Sequence, residues 1–231
     1  MTPLTRTLGR LVGLLVLSIL ALQLTFAARI AAMSFLDPGS TAFERSEAWR
    51  LATSSPGLDW HQDWVDYGRV SKHLPRAVIA SEDAAFTDHA GIDWDAIEKA
   101  WDRNQRTETK IVGGSTITQQ LAKNLFLSGE RNVVRKAQEL LLTLMLEGLL
   151  SKQRILEIYL NHVEWGEGVF GAQAAARHYY RIDAAQLGPT QAARLAVMLP
   201  APKRFEKRPG SPYVVGRAAT IVTRMGDVET P

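Results

Sequence analysis

Gly113-Gly114-Ser115-Thr116-Ile117-Thr118-Gln119-Gln120-Leu121-Ala122-Lys123-Asn124 is the stretch on which the fold turns. A glycine pair breaks the preceding pattern, and Thr116 followed three residues later by Gln119 forms a capping box. The segment therefore predicts a helix that opens at Thr116 and runs through Lys123. Free backbone N–H groups at such a start favour anions, and Lys123 adds a cation one face further along.

Working outward, the rest of the chain reads as helix after helix. Residues 131–150 form a long amphipathic segment in which Arg131, Arg135 and Glu139 fall in one row at four-residue steps. Val133, Val134, Ala137, Leu140, Leu141, Leu144 and Met145 occupy the other side, so the helix is expected to dock through that apolar stripe and turn its polar row to a surface or cleft. Ser151 caps a helix through Asn161, and the glycines from Gly166 to Gly171 lead to an alanine-rich helix over Ala172–Tyr180. A further helix spans Pro189–Met198. On the N-terminal side Asp93 caps a helix carrying Ile97 and Trp101, and Pro75 suits the first position of an apolar helix that ends at Glu82. No repeat or alternating strand pattern stands out, so the fold class is mainly α.

The N-terminus is of another kind. No charge interrupts Leu11–Ala28, which lies between Arg10 and Arg29. A run of about 18 apolar residues is near the shortest that crosses a bilayer as a helix, and Ile30–Leu36 lengthens it if Arg29 snorkels. The run exceeds a signal-peptide core, which favours an uncleaved anchor over 11–32. Arg6 and Arg10 place residues 1–10 in the cytoplasm and the remainder outside. Asp37-Pro38-Gly39-Ser40 marks the exit, residues 33–70 form a membrane-proximal segment with Trp49, Trp60 and Trp64 either at the headgroups or in the core, and 71–231 form the main domain. With no cysteine, disulfides, cysteine-bound metal and thiol nucleophiles are excluded. A net charge of +3 gives no case for nucleic acid.

Taken singly, the polar residues have ordinary alternatives. Lys123, Arg131, Arg135 and Lys136 make a solvated basic face or a contact for anionic lipid as readily as a phosphate site. Glu82, set against Ala and Phe, is either an exposed helix-end acid or a desolvated carboxylate with a raised pKa suited to proton transfer.

In combination they carry more. Glu82-Asp83-Ala84-Ala85-Phe86-Thr87-Asp88-His89-Ala90-Gly91 resembles the first motif of the peptidoglycan glycosyltransferase (transglycosylase) family, and residues 113–124 resemble its second. Arg135–Glu139 running on to Glu147 is similar to the third, Lys152–Asn161 to the fourth, and Ala193–Pro200 with Pro202 to the fifth. Gln191 and Ala201 depart from the family pattern, where Glu and Asn are common. The absence of Ser-x-x-Lys points to the monofunctional branch, without a transpeptidase domain.

The resemblance implies a lysozyme-like helical fold at the cytoplasmic (inner) membrane, catalytic domain on the periplasmic side, polymerising lipid II onto a lipid-linked glycan with release of undecaprenyl pyrophosphate. It further implies Glu82 as base on the acceptor hydroxyl and Glu139 as a residue that orients the donor site's cations or helps hold a divalent ion near the pyrophosphate, with a structural ion pair to Arg135 as the alternative. Lys123, Arg131 and Arg135 then hold the pyrophosphate, and Ser115 with Gln119 or Gln120 holds phosphate or sugar. No cofactor is required, although a divalent ion (Mg or Mn) at the pyrophosphate stays open, and other cell-wall synthesis or division proteins are potential partners. A lytic lysozyme-like hydrolase and a non-catalytic membrane scaffold are the competing expectations.

Overall fold

A computed structural model describes residues 3–54, 60–106, 114–127, 129 and 132–231. The chain begins with α1, Pro3–Ala32, a continuous helix whose Arg6–Ala32 portion is long and apolar enough to cross a membrane. Its last turns are part of the globular domain: Ile30 and Met33 are buried, Phe26 meets Phe126 edge-on, and Arg29 lies over the Phe126 ring at 5.2 Å. Gln23 and Gln138 exchange side-chain hydrogen bonds of 2.9 and 3.0 Å.

The domain itself consists of α2 (Ala42–Ser54), α3 (His73–Glu82), α4 (Trp94–Arg106), α5 (Ile117–Phe126), α6 (Val133–Leu149) and α7 (Lys152–His162), followed by α8 (Ala172–Tyr180), α9 (Pro189–Met198), α10 (Pro202–Phe205) and α11 (Pro212–Arg224). Helix α3 is the hub. Leu74, Ala77, Val78 and Ile79 are fully buried, because α9 packs along it and α11 packs on both. A helix buried along most of its surface belongs inside a domain; apart from the exposed Arg76 near its start, it presents its polar groups at its C-terminal end. That end is Glu82. Pro75 is the third residue of α3, not the first, still within the turn where a missing N–H costs nothing.

Local signals predicted most boundaries. Thr116 and Gln119 form the capping box of α5, Asn132 and Ser151 cap α6 and α7, and Asp93 Oδ1 accepts from Ala96 N. The mainly α class holds with a small sheet added, and one expectation fails. Three short strands, β1 (His61–Gln62), β2 (Glu164–Gly166) and β3 (Val169–Phe170), form a sheet in the order β1-β3-β2, with β1 parallel and β2 antiparallel to β3. Strands of two or three residues are too short to show alternation.

The failed expectation concerns the face that α6 buries. Val133 is 85% and Val134 80% exposed, Ala137, Leu140, Leu141 and Leu144 are exposed as well, and the buried residues are Glu139, Leu142, Thr143 and Leu146. The helix thus docks on α5 through the row that contains Glu139. Burial of that carboxylate is tolerated because Arg135 and Lys136 both pair with it. Much of the apolar stripe faces outward, on a helix packed against α1.

Candidate active site

Glu82 leaves the end of α3 half-buried. Gln120 Nε2 donates to its Oε2 at 3.0 Å and Ser81 Oγ to its Oε1 at 3.4 Å. Burial pushes the Glu82 carboxyl up; the bonds from Gln120 and Ser81 oppose this, Asp83 adds to it, and Arg217 opposes it. Gln120 is itself held, since Tyr159 Oη donates 2.9 Å to its Oε1. Buried within α7, Tyr159 stays protonated well above the usual phenol range, so it acts as a donor and turns the Gln120 amide N–H toward Glu82.

Asp83 fixes the backbone below. Its Oδ2 accepts Ile117 N at the start of α5 (3.0 Å) and its Oδ1 meets His89 Nε2 at 2.8 Å. Gly91 N donates to His89 Nδ1, which makes His89 a neutral imidazole with its proton on Nε2, directed at Asp83. Thr116 Oγ1 closes the loop on Gly91 O at 2.7 Å. Gly91 has φ +83, and a Cβ there would stand 2.6 Å from Thr143 Cγ2, so the turn needs glycine twice over. The end of α3 and the start of α5 are thereby locked together, and Glu82 and Gln120 with them.

Beside this lock lies a cavity of about 310 Å³ bordered by Gln120, Lys123, Asn124, Arg135, Glu164 and Pro200. Arg135 Nη1 donates 2.8 Å to Glu139 Oε2, while its Nε is buried with no acceptor among the described residues. The expected residues therefore separate. Gln120, Lys123 and Arg135 share the cavity, and Glu82 joins it through Gln120. Glu139 stands behind Arg135. Ser115 is exposed, one residue ahead of the α5 cap, and the Gln119 carboxamide is committed to that cap, accepting Thr116 N at 3.2 Å. Arg131 lies outside the described residues.

The family model described as Transglycosylase matches residues 51–226, most of the chain and every element of this site. The chain belongs to the transglycosylase family. It is similar to proteins named "Biosynthetic peptidoglycan transglycosylase": 56% identical over 212 residues to one from Burkholderia thailandensis, covering 92% of this chain and 83% of the relative, and 55% identical to one from Burkholderia orbicola, covering 92% and 86%. The mainly helical, lysozyme-like fold and the glycosyltransferase class follow from that membership.

This transglycosylase offers little to a divalent ion through the expected residue. Both Glu139 oxygens are taken, one by Arg135 and one by Lys136, so Glu139 does not fit as a metal ligand while those pairs stand. Asp83, His89 and Asp93 bring ligand atoms within 4.8 Å of one another, but both His89 nitrogens and Asp93 Oδ1 are already hydrogen-bonded.

Four participants escape inspection of the sequence. Tyr159 reads there as one more core aromatic, and only its hydroxyl contact with Gln120 sets it apart. Asp83 and His89 lie within the first motif but reveal their joint role only when α5 is docked. Glu164, in β2, is remote in sequence from Gln120, Lys123 and Arg135.

Proposed function

We propose that this transglycosylase polymerises lipid II into linear glycan strands by a single inverting displacement that releases undecaprenyl pyrophosphate. The observation that carries this is the continuity of the cavity: Lys123 and Arg135 share it with Gln120, the side chain that holds Glu82. A cation pair beside a desolvated carboxylate suits a reaction that removes a proton at one end and develops phosphate charge at the other.

Glu82 takes the proton of the acceptor 4-hydroxyl as that oxygen attacks the donor's anomeric carbon. The bond from that carbon to the pyrophosphate oxygen breaks, and the electron pair leaves with the pyrophosphate, where Lys123 and Arg135 stabilise it. Attack opposite the leaving group converts an α linkage to a β linkage with no covalent intermediate. The raised pKa of Glu82 makes it a stronger base once ionised, and Gln120, positioned by Tyr159, steadies the ionised form. Glu139 holds the Arg135 guanidinium in place.

Helix α1 anchors the enzyme in the cytoplasmic membrane, with Arg6 and Arg10 inside and the domain on the periplasmic face. The outward apolar stripe of α6, on a helix packed against α1, supports this placement, because hydrocarbon is the natural partner of such a surface.

The test is purified full-length protein in detergent with labelled lipid II, beside a second reaction on preformed glycan. Growth of long polymer from lipid II supports the proposal. Cleavage of preformed glycan with no polymer growth would identify a lytic hydrolase, and inertness in both reactions a scaffold.

A further inference from the structure

The cavity has a polar wall that the proposed reaction leaves unused. Glu164, the first residue of β2, borders it and is only 6% exposed. Its Oε1 is wholly buried and, among the described residues, accepts no well-formed hydrogen bond. Lys203 Nζ forms an ion pair with it at 3.4 Å and gives its shorter bond to Glu47. On the same cavity Arg135 Nε is buried and, among the described residues, has no acceptor. Buried polar groups are nearly always paired, and each exception calls for an explanation. An orphaned acceptor and an orphaned donor in one cavity describe the ligand that completes them: it brings a hydrogen-bond acceptor to Arg135 and a donor to Glu164.

We infer that Glu164 is a positioning residue for the saccharide of the substrate, its carboxyl accepting a sugar O–H or acetamido N–H while a pyrophosphate oxygen takes Arg135 Nε. This rests on the proposed function. A carboxylate repels the pyrophosphate and attracts neutral donors, so the two walls admit a sugar pyrophosphate in one direction only. Burial pushes the Glu164 carboxyl up to about 7, with Glu47 (α2) and Glu206 (after α10) acting in the same sense and Lys203 (α10) against it; Tyr179 (α8) is coupled to the same group. In either protonation state one oxygen remains an acceptor. A carboxyl kept for structure alone would be expected to close on a neighbouring N–H, yet what it has is the 3.4 Å ion pair with Lys203, whose shorter bond goes to Glu47.

The experiment compares wild type, Glu164→Leu and Glu164→Gln for equilibrium binding of inorganic pyrophosphate and of a water-soluble disaccharide pyrophosphate, and for KM and kcat with lipid II. Glu164→Leu should weaken disaccharide-pyrophosphate binding and raise KM about tenfold, while pyrophosphate binding and kcat stay within about twofold. Glu164→Gln, which keeps an accepting oxygen, should recover most of the loss. Equal effects on both ligands, or none on the disaccharide, would overturn the inference. If Glu164→Leu does not fold, Glu164→Asp, which withdraws the carboxyl by one methylene, carries the same comparison. Failure of the wild type to polymerise lipid II would count against the proposed function instead, and the binding arm is read without turnover.

Discussion

Replacing Glu82 by Gln separates chemistry from architecture at the centre of the site. The amide keeps the size of the side chain and an oxygen for the 3.0 Å bond from Gln120 Nε2, so Gln120 and Tyr159 need not move. It cannot take a proton. General-base catalysis contributes about 10²–10⁴-fold, or roughly 2.7–5.4 kcal/mol of barrier, and polymerisation should slow by at least about a hundredfold. Stability should change in the opposite sense. Because burial raises the Glu82 pKa, its contribution to folding is fully present below the unfolded pKa and is lost as pH rises through the folded one. At neutral pH the ionised carboxylate is therefore a liability that Gln removes. Glu82→Gln should melt at or above wild type at pH 7.5, and the difference should shrink toward pH 4. The same ionisation predicts that wild-type kcat/KM falls on the acid side as Glu82 protonates. Initial rates of glycan growth and thermal melts across pH test all of this. Polymerisation near the wild-type rate, or a clear loss of stability at pH 7.5, would refute the assignment of Glu82 as a desolvated base.

Four further outcomes are expected. Tyr159→Phe should lower kcat about tenfold while costing roughly 1 kcal/mol of stability, because the Gln120 amide loses the donor that orients it; denaturant melts alongside rates measure both. Gly171→Ala should destabilise by about 2–4 kcal/mol, since φ is +81 and the new Cβ would lie 2.6 Å from the carbonyl oxygen of Asn161, whose side chain bonds Val65 N and O. A carboxyl raised from 4.5 to about 7, at roughly 1.4 kcal/mol per tenfold change in acidity, costs up to about 3 kcal/mol when ionised. Glu164→Gln should accordingly gain on wild type in melting temperature between pH 5 and pH 8, and a constant difference would count against that burial. Deleting residues 1–36 should lower stability by about 3–6 kcal/mol through loss of buried Ile30 and Met33, whereas stopping the deletion at Ala28 should spare the fold; calorimetry of the two truncations decides.

Much of the helical scaffold was legible because its signals are local. The boxes and caps at Thr116, Ser151 and Asp93 depend on residues three positions apart, and the helices at Ala172–Tyr180 and Pro189–Met198 appear with the bounds that their composition suggests. What depended on a partner was not legible. The apolar stripe of α6 calls for an apolar neighbour, but periodicity does not say whether that neighbour is protein, and Glu139 went inward because Arg135 and Lys136 neutralise it. The site divides along the same line. Glu82, Gln120, Lys123 and Arg135 stand out in the motifs and meet around one cavity, directly or through Gln120. Tyr159 and Glu164 belong to that cavity's surroundings through contacts spanning 39 residues or more in sequence, which no local pattern encodes.

Helix α1 also has a mechanical consequence. Gln23, Phe26, Arg29, Ile30 and Met33 fall on one stripe at three- and four-residue steps, and each is tied to the domain by a hydrogen bond, a ring contact or burial. Thirty residues at 1.5 Å rise make a strut about 45 Å long, clamped at one end, rather than a flexible leash. Whatever holds the free end thus sets the tilt and azimuth of the whole domain. A generic hydrophobic segment could replace Leu11–Leu22 without effect, but a single residue inserted between Ala28 and Ile30 would turn the outer strut by about 100° and swing the cavity mouth around the helix axis.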